Sequence, residues 1–178
     1  MAIVPDDKNW TWVLERTCDE CGFDAHAFAR EQVGSMVRDI ASVWVDVLAG
    51  PDVAVRTSDD RWSTLEYACH VRDVFRIYDE RLRRMLEEDG PRYANWDQDA
   101  TAIEDRYDEQ EPATVAGELM AAATALAERF DAVRGDQWLR PGTRSDGATF
   151  TVESFGRYFV HDPLHHLHDV GSGTRFPT

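Results

Sequence analysis

The chain has 178 residues, of which 43% are apolar and 30% charged, a composition typical of a soluble globular domain large enough to bury a core. The net charge of −15, with no basic cluster in the sequence, disfavours binding to nucleic acid or to an anionic membrane. No apolar run approaches the roughly 20 residues that span a bilayer, and the first residues lack the layout of a secretory signal. A cytoplasmic protein is therefore expected, and three cysteines do not predict a disulfide framework.

The N-terminal segment, residues 1–23, shows no steady period and is predicted to be irregular or extended. It contains Cys18-Asp19-Glu20-Cys21-Gly22. A single C-x-x-C is a weak signal, because a structural zinc site needs two such pairs or a pair plus histidines. His26 lies nearby, but no fourth ligand is evident, and the two acidic residues disfavour a reactive thiol. An ordinary turn with two thiols is favoured over a second metal or redox site.

The first helix is predicted from apolar residues at helical spacing. Asp24 is its candidate N-cap, and Gly50-Pro51 ends it after about residue 49. A polar connection then leads to the second helix.

The second helix, over about 64–89, has the clearest pattern in the chain. Ser63 and Glu66 have the spacing of a capping box at its start. Apolar residues form one stripe along it, with charged residues on the opposite side. His70 lies on the inward half of the helix, where an imidazole must find a partner.

A long loop is predicted between helices two and three, because residues 92–112 are rich in acidic and aromatic residues without a period. Long ordered loops are often functional, so this loop is a candidate wall of a substrate pocket; a solvated crossover fits the pattern equally well. A third, alanine-rich helix follows at about 113–134, and Gly135 ends it. Residues 136–149 are predicted to form a loop with room for one short extended piece.

The last helix is predicted from about Val152 to Val170. Four of the six histidines lie here, namely His161, His165, His166 and His168. On a helix, His161, His165 and His168 share one stripe, whereas His166 points away from it. Asp162-Pro163 would also suit a helix start, but the apolar residues upstream favour one helix kinked at Pro163.

Four amphipathic helices predict an all-α protein, a single four-helix bundle over residues 1–178 with a loose tail at 171–178. Metal sites in such bundles are built from inward side chains on facing helices. His70 on helix two, with His161 and His165 on helix four, is therefore predicted to bind one divalent metal. Three protein ligands leave a coordination position open, as in catalytic sites.

Several residues near this trio have predicted supporting roles. Asp73, Asp162 and Asp169 are candidates for contacts that orient the imidazoles. His168 is a candidate to replace His165 as a ligand or to support it. The alternative for the whole histidine cluster is a polar, exposed helix end.

Two segments together resemble the signature of the DinB-like superfamily: residues 61–70, RWSTLEYACH, and residues 161–166, HDPLHH. The order and spacing cover most of the chain, although Pro163 departs from the commoner form of the H-x3-H pattern. The resemblance implies a four-helix bundle, often a homodimer, with a histidine triad that binds zinc or nickel. The triad maps onto His70, His161 and His165.

The superfamily includes mycothiol-dependent maleylpyruvate isomerases and bacillithiol or mycothiol S-transferases. The resemblance therefore implies a metal-dependent enzyme that activates a small-molecule thiol, such as mycothiol as co-substrate, for transfer to an electrophilic substrate or for isomerisation. Two alternatives stay open: a metal-dependent hydrolase, which needs no thiol, and a non-catalytic bundle that binds a metal or a small ligand.

Overall fold

Four long helices and a small sheet make up the computed structural model, which describes residues 9–173. The helices are α1 (Val33–Leu48), α2 (Thr64–Glu87), a short α3 (Gln98–Glu104), α4 (Pro112–Asp131) and α5 (Val152–Asp169). The strands are β1 (Arg92–Tyr93), β2 (Pro141–Arg144) and β3 (Thr149–Thr151). Predictions for residues 1–8 of the N-terminal segment and 174–178 of the tail fall outside this range. No helix within residues 9–173 is both long and apolar enough to cross a bilayer.

Helix α2 begins where its capping pattern predicts. The Ser63 hydroxyl accepts a hydrogen bond from the Glu66 N–H at 3.2 Å, and the Glu66 carboxylate accepts one from the Ser63 N–H at 2.8 Å. Arg56 adds a third contact, donating from Nε to the same carboxylate at 2.8 Å. This reciprocal cap satisfies two N–H groups that a helix start leaves unpaired, and it fixes the position of His70 about two turns further on.

The direction of the helices explains the long connection between α2 and α4. Arg72 contacts Glu118, and further along both helices Asp79 contacts Arg129, so α2 and α4 run parallel side by side. A chain that leaves the end of α2 must return along the bundle before α4 can start. Residues 88–111 make this return and contain β1 and α3.

The small sheet departs from the predicted all-α class. Strand β2 pairs in parallel with β1 and antiparallel with β3. The strands contain only two to four residues, too few for an alternating pattern to be visible in the sequence. They join segments that follow α2 and α4 and that precede α5. The fold is therefore a mostly helical bundle with a sheet at one end.

Two helix boundaries also differ from the predictions. Helix α1 begins at Val33, because the Asp24 carboxylate accepts a hydrogen bond from the His26 N–H at 2.8 Å and so closes a local turn instead of capping a helix. Helix α4 ends at Asp131 rather than near Gly135. Helix α5 runs through Pro163 without a break, as the sequence favours.

The apolar stripe of α5 positions the polar residues that follow it. Tyr78 on α2 stacks on Phe155 of α5 and packs at a tilt against Phe159, with ring centroids 4.6 and 4.9 Å apart. Residues three and seven positions beyond Phe159 continue the same face of the helix. They are Asp162 and His166, and they therefore face α2 at the level of His70.

Candidate metal centre

Three side chains with metal-ligand chemistry meet between α2 and α5. His70 Nε2 lies 3.3 Å from Asp162 Oδ1, and His166 Nε2 lies 3.8 Å from the same oxygen. One ligand atom from each residue lies within 4.8 Å of the other two. Ligand atoms bound to a tetrahedral zinc at about 2.0–2.1 Å are about 3.4 Å apart. The three side chains therefore have the spacing to hold a divalent ion.

Neighbouring groups fix the orientation of the two imidazoles. His166 Nδ1 forms a hydrogen bond with Asp169 Oδ2 at 2.9 Å, which leaves its Nε2 as the ligand atom. The His70 ring stacks on Trp96, with centroids 5.2 Å apart and planes at 5°. His70 Nδ1 is buried without a hydrogen-bond partner among residues 9–173. An unpaired buried atom of this kind costs stability.

The protonation states suit metal binding. Burial would raise the pKa of Asp162, but His70, by charge and by hydrogen bond, lowers it to about 2. Burial lowers the pKa of His70, and the neighbouring Asp162 only partly opposes this. At neutral pH the centre therefore offers a carboxylate and a neutral imidazole. Two imidazoles and one carboxylate form a donor set used for catalytic zinc and for other first-row metals.

The group opens on one side into a cleft of about 780 Å³. The His70 side chain is only 1% exposed, whereas those of Asp162 and His166 are 34% and 18% exposed. The ligand atoms are therefore approached from the α5 side, through the cleft. Residues 95–99 of the connection between α2 and α4 form part of its wall.

The predicted trio of His70, His161 and His165 is divided between two groups. His161 and His165 lie on the neighbouring face of α5, where their ligand atoms group with those of Cys18 and Cys21. Successive residues on a helix point about 100° apart, so the pairs 161/165 and 162/166 have the same spacing but face different elements. Within residues 9–173, His70 shares no group of mutually close ligand atoms with His161 or His165.

The supporting residues named from the sequence have different positions. Asp169 contacts His166, as expected for an orienting carboxylate. Asp73 is held instead by Arg72, which donates to both of its oxygens at 2.9 Å, and by the Tyr107 hydroxyl at 2.5 Å. His168 is exposed and belongs to neither group.

Asp162 and His166 are the ligand-type residues that the sequence prediction did not place in the centre. The sequence contains a pattern that could have identified them, because the apolar stripe of Phe155 and Phe159 continues through these two positions at helical spacing. The three histidines at positions 161, 165 and 168 favour the neighbouring face when spacing alone is considered.

Comparison with known proteins agrees with this architecture. The family model of the DinB superfamily matches residues 29–170, and the chain belongs to this superfamily. No curated protein matches the chain. Among solved structures, it is similar to YfiT from Bacillus subtilis, with a TM-score of 0.61 and 16% identity over 97% of this chain and 92% of the other. YfiT is described as a probable metal-dependent hydrolase with an unusual four-helix bundle topology. At this identity the similarity establishes the shared fold.

Proposed function

We propose that the protein is a divalent-metal-dependent enzyme that uses a low-molecular-weight thiol, such as mycothiol, as the nucleophile toward a small electrophile. The metal, zinc or nickel, is held by His70, Asp162 and His166. This set replaces His161 and His165 of the predicted trio with two residues that face His70. The observation that carries the proposal is the convergence of three ligand atoms beside an open cleft, which Asp162 and His166 line.

A divalent metal at this position supplies Lewis-acid chemistry, lowering the pKa of a thiol or water towards neutrality. The surrounding side chains set the charge of the centre, the orientation of its ligands and its exposure to water. Asp162 is ionised at neutral pH, so it contributes negative charge to the centre without a proton to displace. Asp169 keeps the His166 Nε2 available. Trp96 and Trp62 cover the His70 ring and keep water from its faces.

The residues that line the cleft favour the binding of a polar co-substrate. Its walls carry charged side chains of both signs, including Arg61, Arg81, Asp97 and Asp99. Its volume of about 780 Å³ lies within the range of sites that bind a small organic molecule. A thiol with polar substituents and a small electrophile fit such walls better than an extended apolar ligand. We further propose a cytoplasmic enzyme, with homodimerisation as the resemblance implies.

Metal-dependent hydrolysis is the second candidate, and the description of the structurally similar YfiT favours it. The same centre would then act on water in place of the thiol. The two candidates differ in one requirement, because hydrolysis needs no added thiol.

The decisive experiment is a paired assay on the metal-loaded protein, with and without mycothiol, using a reactive electrophile and a panel of esters and amides. We expect the thiol to react with the electrophile faster with protein than without it. The His166→Ala variant should lose this turnover, while His168→Ala, an exposed histidine of the same helix, should retain it. Turnover that needs no thiol would support the hydrolase. Full turnover in His166→Ala, or none in the wild type under either condition, would overturn the enzyme proposed here.

A further inference from the structure

A tight turn in the N-terminal segment brings Cys18 and Cys21 together. The Cys18 carbonyl accepts a hydrogen bond from the Gly22 N–H, and the Cys18 N–H donates to the Phe23 carbonyl, both at 2.8 Å. Gly22 has a φ of +76°, which glycine adopts without strain. Both cysteines are free thiols.

Two histidines from the other end of the chain face this turn. Cys18 Sγ lies 3.8 Å from His165 Nδ1, and one ligand atom from each of Cys18, Cys21, His161 and His165 lies within 4.8 Å of the other three. A sulfur and a nitrogen bound to one tetrahedral zinc, at about 2.3 and 2.0–2.1 Å, are about 3.6 Å apart. The four side chains therefore have the spacing of a tetrahedral zinc site.

The polar side chains of this group are largely buried, and one of their nitrogen atoms has no hydrogen-bond partner among the described residues. Cys18 is 1% exposed, His161 4% and His165 7%. His161 Nε2 is buried with no hydrogen-bond partner among the described residues. A polar cluster in this environment is costly unless another species satisfies it.

The second nitrogen of His165 is oriented as in many metal sites. His165 Nε2 lies 3.4 Å from a Glu20 carboxylate oxygen and 4.0 Å from one of Asp169. A carboxylate on this side leaves Nδ1, the atom that faces Cys18, to act as the ligand. Glu20 lies between the two cysteines in the sequence, so the same turn supplies both the sulfurs and the orienting carboxylate.

We propose that Cys18, Cys21, His161 and His165 bind a structural zinc ion, separate from the centre formed by His70, Asp162 and His166. Two cysteines and two histidines form a common structural zinc donor set, and thiolate ligands favour zinc over magnesium or calcium. Four protein ligands fill the tetrahedron and leave no position for a substrate, so this ion has no catalytic role. The site does not depend on the enzymatic activity proposed above.

The zinc ion holds the N-terminal segment against α5. The rings of His161 and His165 also pack against Trp10, with centroids 5.2 and 4.9 Å apart. Trp10 lines the cleft beside the other metal centre. The structural zinc therefore supports one wall of that cleft.

The test uses full-length protein whose first centre has been emptied by His166→Ala. In this background we expect one zinc ion per chain, and X-ray absorption at the zinc edge should show two sulfur and two nitrogen ligands. Cobalt in its place should give a thiolate-to-cobalt absorption band, which the sulfur-free centre at His70 cannot produce.

Cysteine variants in the same background complete the experiment. Cys21→Ser should lose the zinc ion and the cobalt band. Cys69→Ser is the matched control, because Cys69 is a buried free thiol outside both groups, and it should keep both. Zinc without sulfur ligands, no bound zinc in the His166→Ala protein, or an unchanged cobalt band in Cys21→Ser would overturn the proposal.

Discussion

Asp169, the last residue of α5, contacts both His166 and Arg61. It accepts a hydrogen bond from His166 at 2.9 Å, and a second contact of 3.6 Å joins it to Arg61. Burial would raise the pKa of Asp169, but the His166 hydrogen bond and charge lower it, so it is ionised at neutral pH. Its carboxylate can therefore orient an imidazole throughout the physiological range.

Replacing this carboxylate should weaken metal binding without removing a ligand. We predict that Asp169→Asn lowers the affinity of the His70 centre for its metal about 10–100-fold, because orienting partners typically contribute this much. Competition with a chromophoric chelator measures the change. Asp39→Asn, an exposed carboxylate on α1, should bind metal as the wild type does. Equal affinities in the two variants would show that Asp169 does not orient His166.

Two buried tyrosines differ in what their hydroxyls contact. The Tyr107 hydroxyl donates to the Asp73 carboxylate at 2.5 Å, inside a network with Arg72. The Tyr93 hydroxyl is buried with no partner within residues 9–173. The Tyr107 hydroxyl therefore ties the connection before α4 to α2, whereas Tyr93 contributes through its ring, which lies 4.9 Å from the Arg81 guanidinium.

The matched pair of substitutions to phenylalanine tests this contrast. Tyr107→Phe should reduce the free energy of unfolding by about 1.5–3 kcal/mol, because it removes a hydrogen bond to a buried charge. Tyr93→Phe should leave stability unchanged or slightly higher, since it removes a buried hydroxyl that lacks a partner. Urea unfolding of the two variants measures both values. A larger loss for Tyr93→Phe would contradict the hydrogen-bond assignment.

At the scale of the elements, α1 packs closely against α4 at a glycine. A Cβ atom added at Gly34 would lie 2.9 Å from the Ala127 carbonyl oxygen and 2.1 Å from an Asp131 oxygen. The backbone oxygen cannot rotate away, so the helices would have to separate. Gly117, inside α4, has no atom within 4 Å of an added Cβ.

Alanine substitutions at the two glycines should therefore have opposite effects. Gly34→Ala should destabilise the protein by about 1–3 kcal/mol, the usual cost of overpacking. Gly117→Ala should stabilise it by about 1 kcal/mol, because alanine favours the helix and nothing opposes the added methyl group. Thermal or urea unfolding distinguishes the signs. Stabilisation by Gly34→Ala would show that α1 and α4 are further apart than described.

Local signals explain which elements could be predicted from the sequence. Ser63 and Glu66 lie three residues apart and satisfy each other, so the start of α2 follows from the sequence directly. Asp24 has the same chemistry as a helix cap, but its carboxylate closes a turn, and a cap and a turn cannot be told apart without the residues that follow. The sheet does not follow from the sequence, because its strands have only two to four residues and β1 pairs with the distant β2.

The candidate sites depend on contacts that spacing alone does not fix. Position on a helix predicts that His161 and His165 share a face, and it predicts the same for Asp162 and His166. Which of these faces meets His70 depends on the packing of α5 against α2. The approach of Cys18 to His165, separated by 147 positions, is likewise set by the whole fold.

At the scale of the whole molecule, both groups lie at one end of α5, on adjacent faces. The group at His70 joins α2 to α5, and the group at Cys18 joins the N-terminal segment to α5. Ions bound there would link three parts of the chain that are distant in sequence. Metal bound by the folded state alone adds to the free energy of folding.

Chelation should therefore lower the stability of the protein. At a free metal concentration about 100 times the dissociation constant, each bound ion adds about 2.7 kcal/mol. We predict that the unfolding temperature falls on treatment with a strong chelator and recovers when zinc is restored. Calorimetry of the treated, untreated and reconstituted protein measures the shift. An identical unfolding temperature in all three samples would exclude stabilisation by metal at either group.

The metal content of the purified protein tests the centre at His70 most directly, with wild type compared with His166→Ala and His168→Ala. His166 faces His70 and Asp162, whereas His168 is exposed on the same helix and lies in neither group. We predict that His166→Ala contains one metal ion fewer per chain than the wild type and that His168→Ala contains the same number. Equal metal content in the wild type and His166→Ala would contradict a metal centre formed by His70, Asp162 and His166.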